Sequence, residues 1–282
     1  MFSLRPFSAR RSLVGLANLT TALFGVLVAS TGVAHAQSDA SLQLVMGNPS
    51  GATTSTANEN NYLMQKPQYA MSYNRSHATP NWVSWHLGPK DIGTASRTDT
   101  FKPDTTLPTG WYRVTTSDYT NSGFDRGHNC PSADRTLSST DNAATFLLSN
   151  IVPQEADNNQ GPWAVLENYC RTLVDAGNEL FIISCPNHYG TATIASGKIY
   201  VPSYMSKVIV VLPKGSSLAA SSVTTSTRVI CVDMPNVAGI RSNDWKTYRI
   251  SVDKLESYTG YDFLSNVSPS VQAVIEARVD NG

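Results

Sequence analysis

Eight residues set the terms on which this chain can fold: Phe124-Asp125-Arg126-Gly127-His128-Asn129-Cys130-Pro131. They place a histidine beside an arginine on a turn that Gly127 loosens, because a backbone without a side chain can go where others are obstructed. Downstream come Leu148-Ser149-Asn150-Ile151-Val152-Pro153-Gln154 and then Asn159, Trp163, Glu167 and Arg171. Spacings of four and eight put those last four residues near one side of a helix, if the helix includes Asn159. Trp163, Leu166, Cys170, Leu173 and Val174 trace an apolar stripe along it. Pro162 is tolerated only in a first turn, so the helix is predicted to begin between 158 and 161. Gly177 and Asn178 end it.

Around this centre strands and helices mix without a regular βαβ alternation, which predicts an α+β domain with a mixed, mainly antiparallel sheet flanked by helices. Tyr69-Ala70-Met71-Ser72-Tyr73 suits a strand. Asn81-Trp82-Val83-Ser84-Trp85-His86-Leu87 alternates polar and apolar residues at period two, the pattern of a half-buried strand. Residues 88–120 are rich in Thr, Asp, Pro and Gly and read as a long irregular connection, a kind of loop that usually carries function. Residues 132–146 read as polar turns and a short helix. Three β-rich runs follow at 179–185, 207–212 and 227–233. A short helix opens at Ser251 and stops at Gly260, and Ser268 caps another through Ala277.

The ends and the charge narrow the setting. Arg5, Arg10 and Arg11 precede an apolar run that closes on Ala34-His35-Ala36, so residues 1–36 read as a secretory signal peptide cleaved after Ala36. Residues 37–62, rich in Ser, Thr, Ala and Asn, read as a flexible or surface-hugging arm, and 63–282 as the functional domain. The chain holds 21 basic and 21 acidic residues, and losing the leader's three arginines leaves the remainder slightly acidic. A nucleic-acid partner would then have to be met by arginines concentrated at a site, or by a metal. Four cysteines in an exported protein favour disulfides, which these four can form in three ways. Cys130–Cys170 and Cys185–Cys231 are the expected pairs. No stable membrane association is expected after processing.

The chemistry of the central residues suits phosphodiester hydrolysis, which needs an activated water, charge stabilisation on phosphorus and help for the leaving alkoxide. His128 is the candidate general base, since an imidazole titrates near neutrality. Arg126 and Arg97 can make planar, bidentate phosphate contacts. Asn159 offers a neutral oxygen to a hard divalent cation such as Mg2+, with Mn2+ or another divalent cation as the alternative, and leaves the ion's full charge for the phosphate. That favours one metal over two. Glu167 could hold a water of that metal, and Arg171 could reach phosphate.

Each residue also has an ordinary explanation. Asp125 to His128 could be an ion-paired turn around a buried histidine. Asn159 could simply cap a helix, and Glu167 with Arg171 could be a surface pair. His86 and His77 read as structural. The joint spacing is what lifts the catalytic reading.

The same residues resemble the DNA/RNA non-specific endonuclease family. The match runs through Asp125-Arg126-Gly127-His128, Ser149 to Gln154, Asn159-Gln160-Gly161, and Trp163 through Glu167 to Arg171. Asn81-Trp82-Val83, Arg97 with Phe101 and Asp104, and Val252-Asp253, Glu256 and Thr259 to Phe263 extend it to about 63–264. The resemblance implies a ββα-metal (His-Me finger) core, a catalytic His128 and Mg2+ held through Asn159. It implies Arg97 steadying the phosphorane, and Arg126 and Arg171 holding DNA or RNA substrate. Asn150 and Glu167 match supporting positions around the metal, and products should carry 5′-phosphate and 3′-hydroxyl ends. A protein inhibitor is among the partners such a nuclease can have; oligomeric state is left open. Two other functions stay in view: a catalytically dead binding protein on this scaffold, and a phosphodiesterase for small nucleotides.

Overall fold

Strands with apolar residues at both odd and even positions must be covered on both faces, and the central strands of this chain are built that way. In the computed structural model, which describes residues 1–3 and 39–282, the main sheet is antiparallel throughout. Its strands are β1 (Tyr62–Gln65), β2 (Ala70–Asn74), β3 (Thr79–Leu87), β6 (Glu179–Ile194), β7 (Ile199–Leu212) and β8 (Arg228–Pro235), in that spatial order. Two further strands, β4 (Asp125–His128) and β5 (Ile151–Gln154), make a separate antiparallel ribbon. The helices are α1 (Ser139–Thr145), the single turn α2 (Ala156–Asn158), α3 (Ala164–Asp175), α4 (Val252–Thr259) and α5 (Pro269–Ile275).

Alternation sorts the core into two layers. Val83, Trp85 and Leu87 of β3, Leu180 and Ile182 of β6, Ile209 of β7 and Ile230 of β8 face one way, against Trp163, Leu166 and Cys170 of the α3 region. Trp82, Phe181, Ile183, Val208, Val210 and Cys231 face the other way, against Val252 and Leu255 of α4 and Ile275 of α5. The result is α+β in three layers, with the β4–β5 ribbon and α3 on one face and α4 and α5 on the other. No helix among the described residues is long and apolar enough to cross a membrane. The expected signal peptide lies almost wholly outside the described residues.

Several expectations are corrected. β3 is buried along its whole length rather than half-buried, because both faces of an interior strand are covered. The segment expected as a flexible arm packs onto the sheet from Asp39 onward: Met46 and Ala52 are buried in the second layer. The Gln43 side chain accepts a bond from the His86 backbone N–H (2.8 Å), and the Trp82 indole donates to Ser50 (2.8 Å). β6 and β7 run well past the apolar stretches that announced them, joined through Ala195, Ser196 and Gly197, all at positive φ. All four cysteines are free and buried, so neither expected disulfide is present. Cys185 and Cys231 lie on β6 and β8 with β7 between them. Two strand spacings come to roughly 9–10 Å, beyond the reach of ~7 Å between Cα atoms that a disulfide allows. Burial pushes all four thiols well up from their ordinary pKa.

Candidate active site

Within the eight-residue stretch, Asp125–His128 form not a turn but the strand β4, paired with β5 in the register Asp125 to Gln154, Arg126 to Pro153, Gly127 to Val152 and His128 to Ile151. The need for glycine has a different cause from the one expected. A Cβ at position 127 would overlap the Gln154 side chain. α2 and α3 follow β5, so the local order is strand, strand, helix. Residues alternate in direction along a strand, so Arg126 and His128 share a face of β4.

His128 is buried and sits between two phenyl rings, Phe101 at 5.4 Å and Phe146 at 5.0 Å between centroids. Each ring carries a guanidinium on its face: Arg97 lies 4.9 Å from the Phe146 centroid and Arg126 4.3 Å from that of Phe101. Such stacking suits the planar, weakly hydrated arginine head. Burial, then Arg97 and Arg126, lower the His128 pKa from 6.5 to about 3, with Asp99 opposing. The imidazole is therefore neutral, and its buried Nε2 has no hydrogen-bond partner. Arg97 is further fixed by donating to Asp99 (2.6 Å) and Ser132 (2.7 Å).

Asn150 is a clamp on the backbone just after the histidine. Its side chain accepts from the Cys130 N–H (3.0 Å) and donates to the carbonyls of Cys130 and Thr145 (both 2.9 Å). The carbonyl of Asn150 accepts from Asn129 (3.0 Å). Fully buried, it sets the end of β4 rather than facing solvent. Asp104 does similar work for the preceding loop, accepting from Ser149 (2.6 Å) and pairing with Lys66 (3.0 Å).

Asn159 stands at the start of a π-type segment, Asn159–Trp163, in which Gly161 leaves helical geometry. A Cβ on Gly161 would lie 2.6 Å from the Arg241 carbonyl oxygen, so the close approach requires glycine. This break takes Asn159 out of the regular helix that was expected to align it with Trp163, Glu167 and Arg171. Its side-chain NH2 donates to Asp125 (2.8 Å), and Gln160 donates to the same carboxylate oxygen (2.7 Å). With its nitrogen so engaged, the amide oxygen of Asn159 is the group left to bind a hard cation, and the Asp125 carboxylate beside it is a second oxygen donor. These residues fit a divalent metal by donor chemistry.

Glu167 and Arg171 do share a face of α3, but they meet a different set of partners. Glu167 lies 3.7 Å from Lys207, a lysine buried on β7 whose ammonium is 4.0 Å from the Trp163 centroid. Burial pushes the Glu167 carboxyl up, against the pull of Lys207. Arg171 donates to Asp134 (2.7 Å) and Asn168 (2.5 Å), and Asp134 also accepts from the Trp85 indole (3.1 Å). The short 3-10 turn Ser132–Asp134 thus holds Arg97 at one end and Arg171 at the other. Among the described hydrogen bonds none joins Glu167 or Arg171 to His128 or Asn159.

Phe146, Ser132, Asp134 and Lys207 were not singled out from the sequence. Only Lys207 left a signal there, as a charge opening an apolar β run.

With this geometry in hand, the chain can be set beside known proteins. The profile of the DNA/RNA non-specific endonuclease family matches residues 46–270. The chain belongs to that family. It is accordingly a hydrolase of the nuclease class. It is 53% identical over 242 residues to a nuclease of a Nostoc species, covering 86% of this chain and 87% of that one. It is 32% identical over 212 residues to the human mitochondrial nuclease EXOG, covering 71% of this chain but 56% of the human protein. The chain thus spans little more than half the length of that mitochondrial relative. Among solved structures it is similar to the EndoG/EndoGI complex, with a TM-score of 0.67 at 23% identity over 80% of this chain and 91% of that one. At that identity the likeness speaks to the fold, and the fold is that of a ββα-metal nuclease.

Proposed function

We propose that this member of the family is a secreted endonuclease that hydrolyses phosphodiester bonds of DNA and RNA with little sequence preference. The carrying observation is a neutral, buried imidazole on a strand flanked by two guanidiniums, each seated on an aromatic ring. His128 takes a proton from the attacking water as the water oxygen bonds to phosphorus. The bond to the 3′-oxygen breaks, and that oxygen leaves to be protonated, giving 5′-phosphate and 3′-hydroxyl ends. Arg97 and Arg126 bear on the phosphoryl oxygens. Their contacts reach the backbone rather than base edges, which supports tolerance of sequence and sugar.

A single Mg2+ would be held through Asn159, with Asp125 orienting the amide. Bound there it would draw charge from the phosphate and assist the leaving oxygen. Asn150 fixes the backbone behind His128, while Glu167 and Arg171 brace the same region through Asp134 and Lys207. A phosphate entering beside His128 brings negative charge that raises its pKa again, so the base strengthens when substrate is present. The inhibitor-bound state of the structural neighbour named above motivates a further proposal, that a protein inhibitor can cover this open face.

Plasmid DNA and RNA degradation with and without EDTA tests the reading. Activity should vanish in chelator, return with Mg2+ and be lost in His128→Ala. Full activity in chelator or in that variant would sink it. A dinucleotide analogue assayed beside long DNA separates a polymer nuclease from a small-molecule phosphodiesterase.

A further inference from the structure

On the sheet face opposite the β4–β5 ribbon, the C-terminal end of α5 meets the first turn of α4, and the Glu276 carbonyl accepts from the Asp253 backbone N–H (3.1 Å). Three carboxylates converge there. One oxygen each from Asp253, Glu256 and Glu276 can be chosen so that all lie within 4.8 Å of one another. Like charges so close repel strongly unless something positive lies between them. Among the described residues none of the three forms an ion pair with a lysine or arginine. Lys254, next in sequence to Asp253, is turned onto the Tyr258 ring (4.7 Å). Arg278 is spent on the carbonyls of Thr225 (2.6 Å) and Thr227 (3.4 Å). α5 ends without a basic residue in its last turn.

A second observation concerns Glu276 itself. The residue is buried, only 5% exposed, and its Oε1 has no hydrogen-bond partner. A buried, unpaired carboxylate oxygen is costly to leave unsatisfied. The three carboxylates offer only oxygen, the donor set of a hard cation. Asp253 is exposed and Glu256 half-buried, which leaves room for waters to complete a large, flexible shell. That suits Ca2+ better than Mg2+, which demands near-ideal octahedral geometry. We infer that Asp253, Glu256 and Glu276 form a Ca2+ site that pins α4 to α5, distinct from the catalytic centre.

Glu256 is already ordered for the task, since its Oε1 accepts from the Phe263 N–H (2.9 Å). The role is structural: the ion would join two helices that otherwise meet through their ends and their apolar contacts with the sheet.

The experiment is thermal unfolding at neutral pH, titrated with CaCl2 and in parallel with MgCl2. It is run in an Asn159→Ala background so that the catalytic centre does not report. Ca2+ should raise the melting temperature by a few degrees, and Mg2+ by less. The rise should disappear in Glu276→Gln. Should that variant fail to fold, Asp253→Asn, at an exposed position, should shift the Ca2+ midpoint at least tenfold upward. No response to Ca2+ in the Asn159→Ala protein overturns the site and leaves a proton, rather than a metal, between the carboxyls. A response that survives both carboxylate substitutions overturns it as well, by placing the ion elsewhere.

Discussion

A histidine that must act as a base is here placed where it is hard to charge. The two rings and two guanidiniums around His128 hold its pKa near 3 against an ordinary 6.5. In the unfolded chain the imidazole protonates below about 6.5, while in the folded state it stays neutral down to about 3. The unfolded state therefore binds more protons across that window, and this contribution to stability, intact above 6.5, is lost as pH falls. By pH 5 the loss should be on the order of 2 kcal/mol. Urea unfolding at pH 7 and pH 5 should show it, and His128→Asn should show a smaller difference between the two. In the free protein the imidazole resonances should not titrate near 6.5, and they should begin to when a non-cleavable oligonucleotide is added. His128→Ala should lower turnover by roughly 10²–10⁴, the usual worth of general base catalysis, without loss of fold. Phe146→Ala should harm both stability and rate, because it empties one wall of the imidazole site and unseats Arg97. A cost of about 3–5 kcal/mol is the normal range for such a deletion.

At the scale of elements, what could be read from the sequence depended on whether the cause was local. Period-two alternation marked β3, the run Tyr69–Tyr73 suited the strand that became β2, and Gly177 and Gly260 marked the ends of α3 and α4. The outer halves of β6 and β7 escaped because Asn187, His188, Tyr189 and Gly190 show no apolar alternation. The hairpin there is held by strand pairing and by contacts from distant parts of the chain, with Ile194, Ile199 and Val201 packed beside Val114, Leu148 and Ile151 and Tyr189 against His77. The helix after β5 is interrupted where its local sequence predicts continuity, because Gly161 answers to Arg241, some eighty residues away, and not to its neighbours. Gly127 reads in the sequence as a turn residue, but its lack of a side chain serves a close approach to Gln154 within a strand. Accordingly Gly127→Ala should destabilise the β4–β5 ribbon by about 1–3 kcal/mol, the cost of overpacking, and should slow catalysis more than it lowers the melting temperature. Of the residues gathered around the imidazole, His128 and Arg126 were legible from type and their shared motif, and Arg97 only from type and the family resemblance. Ser132, Asp134 and Phe146 were not, since their importance arises only from what folding brings beside them.

For the whole molecule, the two-sided burial of the sheet makes every covering segment part of the core. Residues 39–61 complete the layer over Trp82 and Ser84, so a chain begun at 63 should lose much of its stability. Chemical denaturation of the truncated protein beside the longer one would reveal this as a lower midpoint. The free cysteines make a separate prediction: unfolded without reductant, the protein should react with four equivalents of a thiol reagent, and a disulfide would lower that number. The Ser132–Asp134 turn joins distant parts of the chain, gripping Arg97 from the long loop and Arg171 from α3. Three residues of backbone therefore gear two arms that are far apart in sequence, and displacing one tugs on the other. Epistasis follows from that linkage: Ser132→Ala and Asp134→Asn, combined, should change turnover by a factor other than the product of their separate effects.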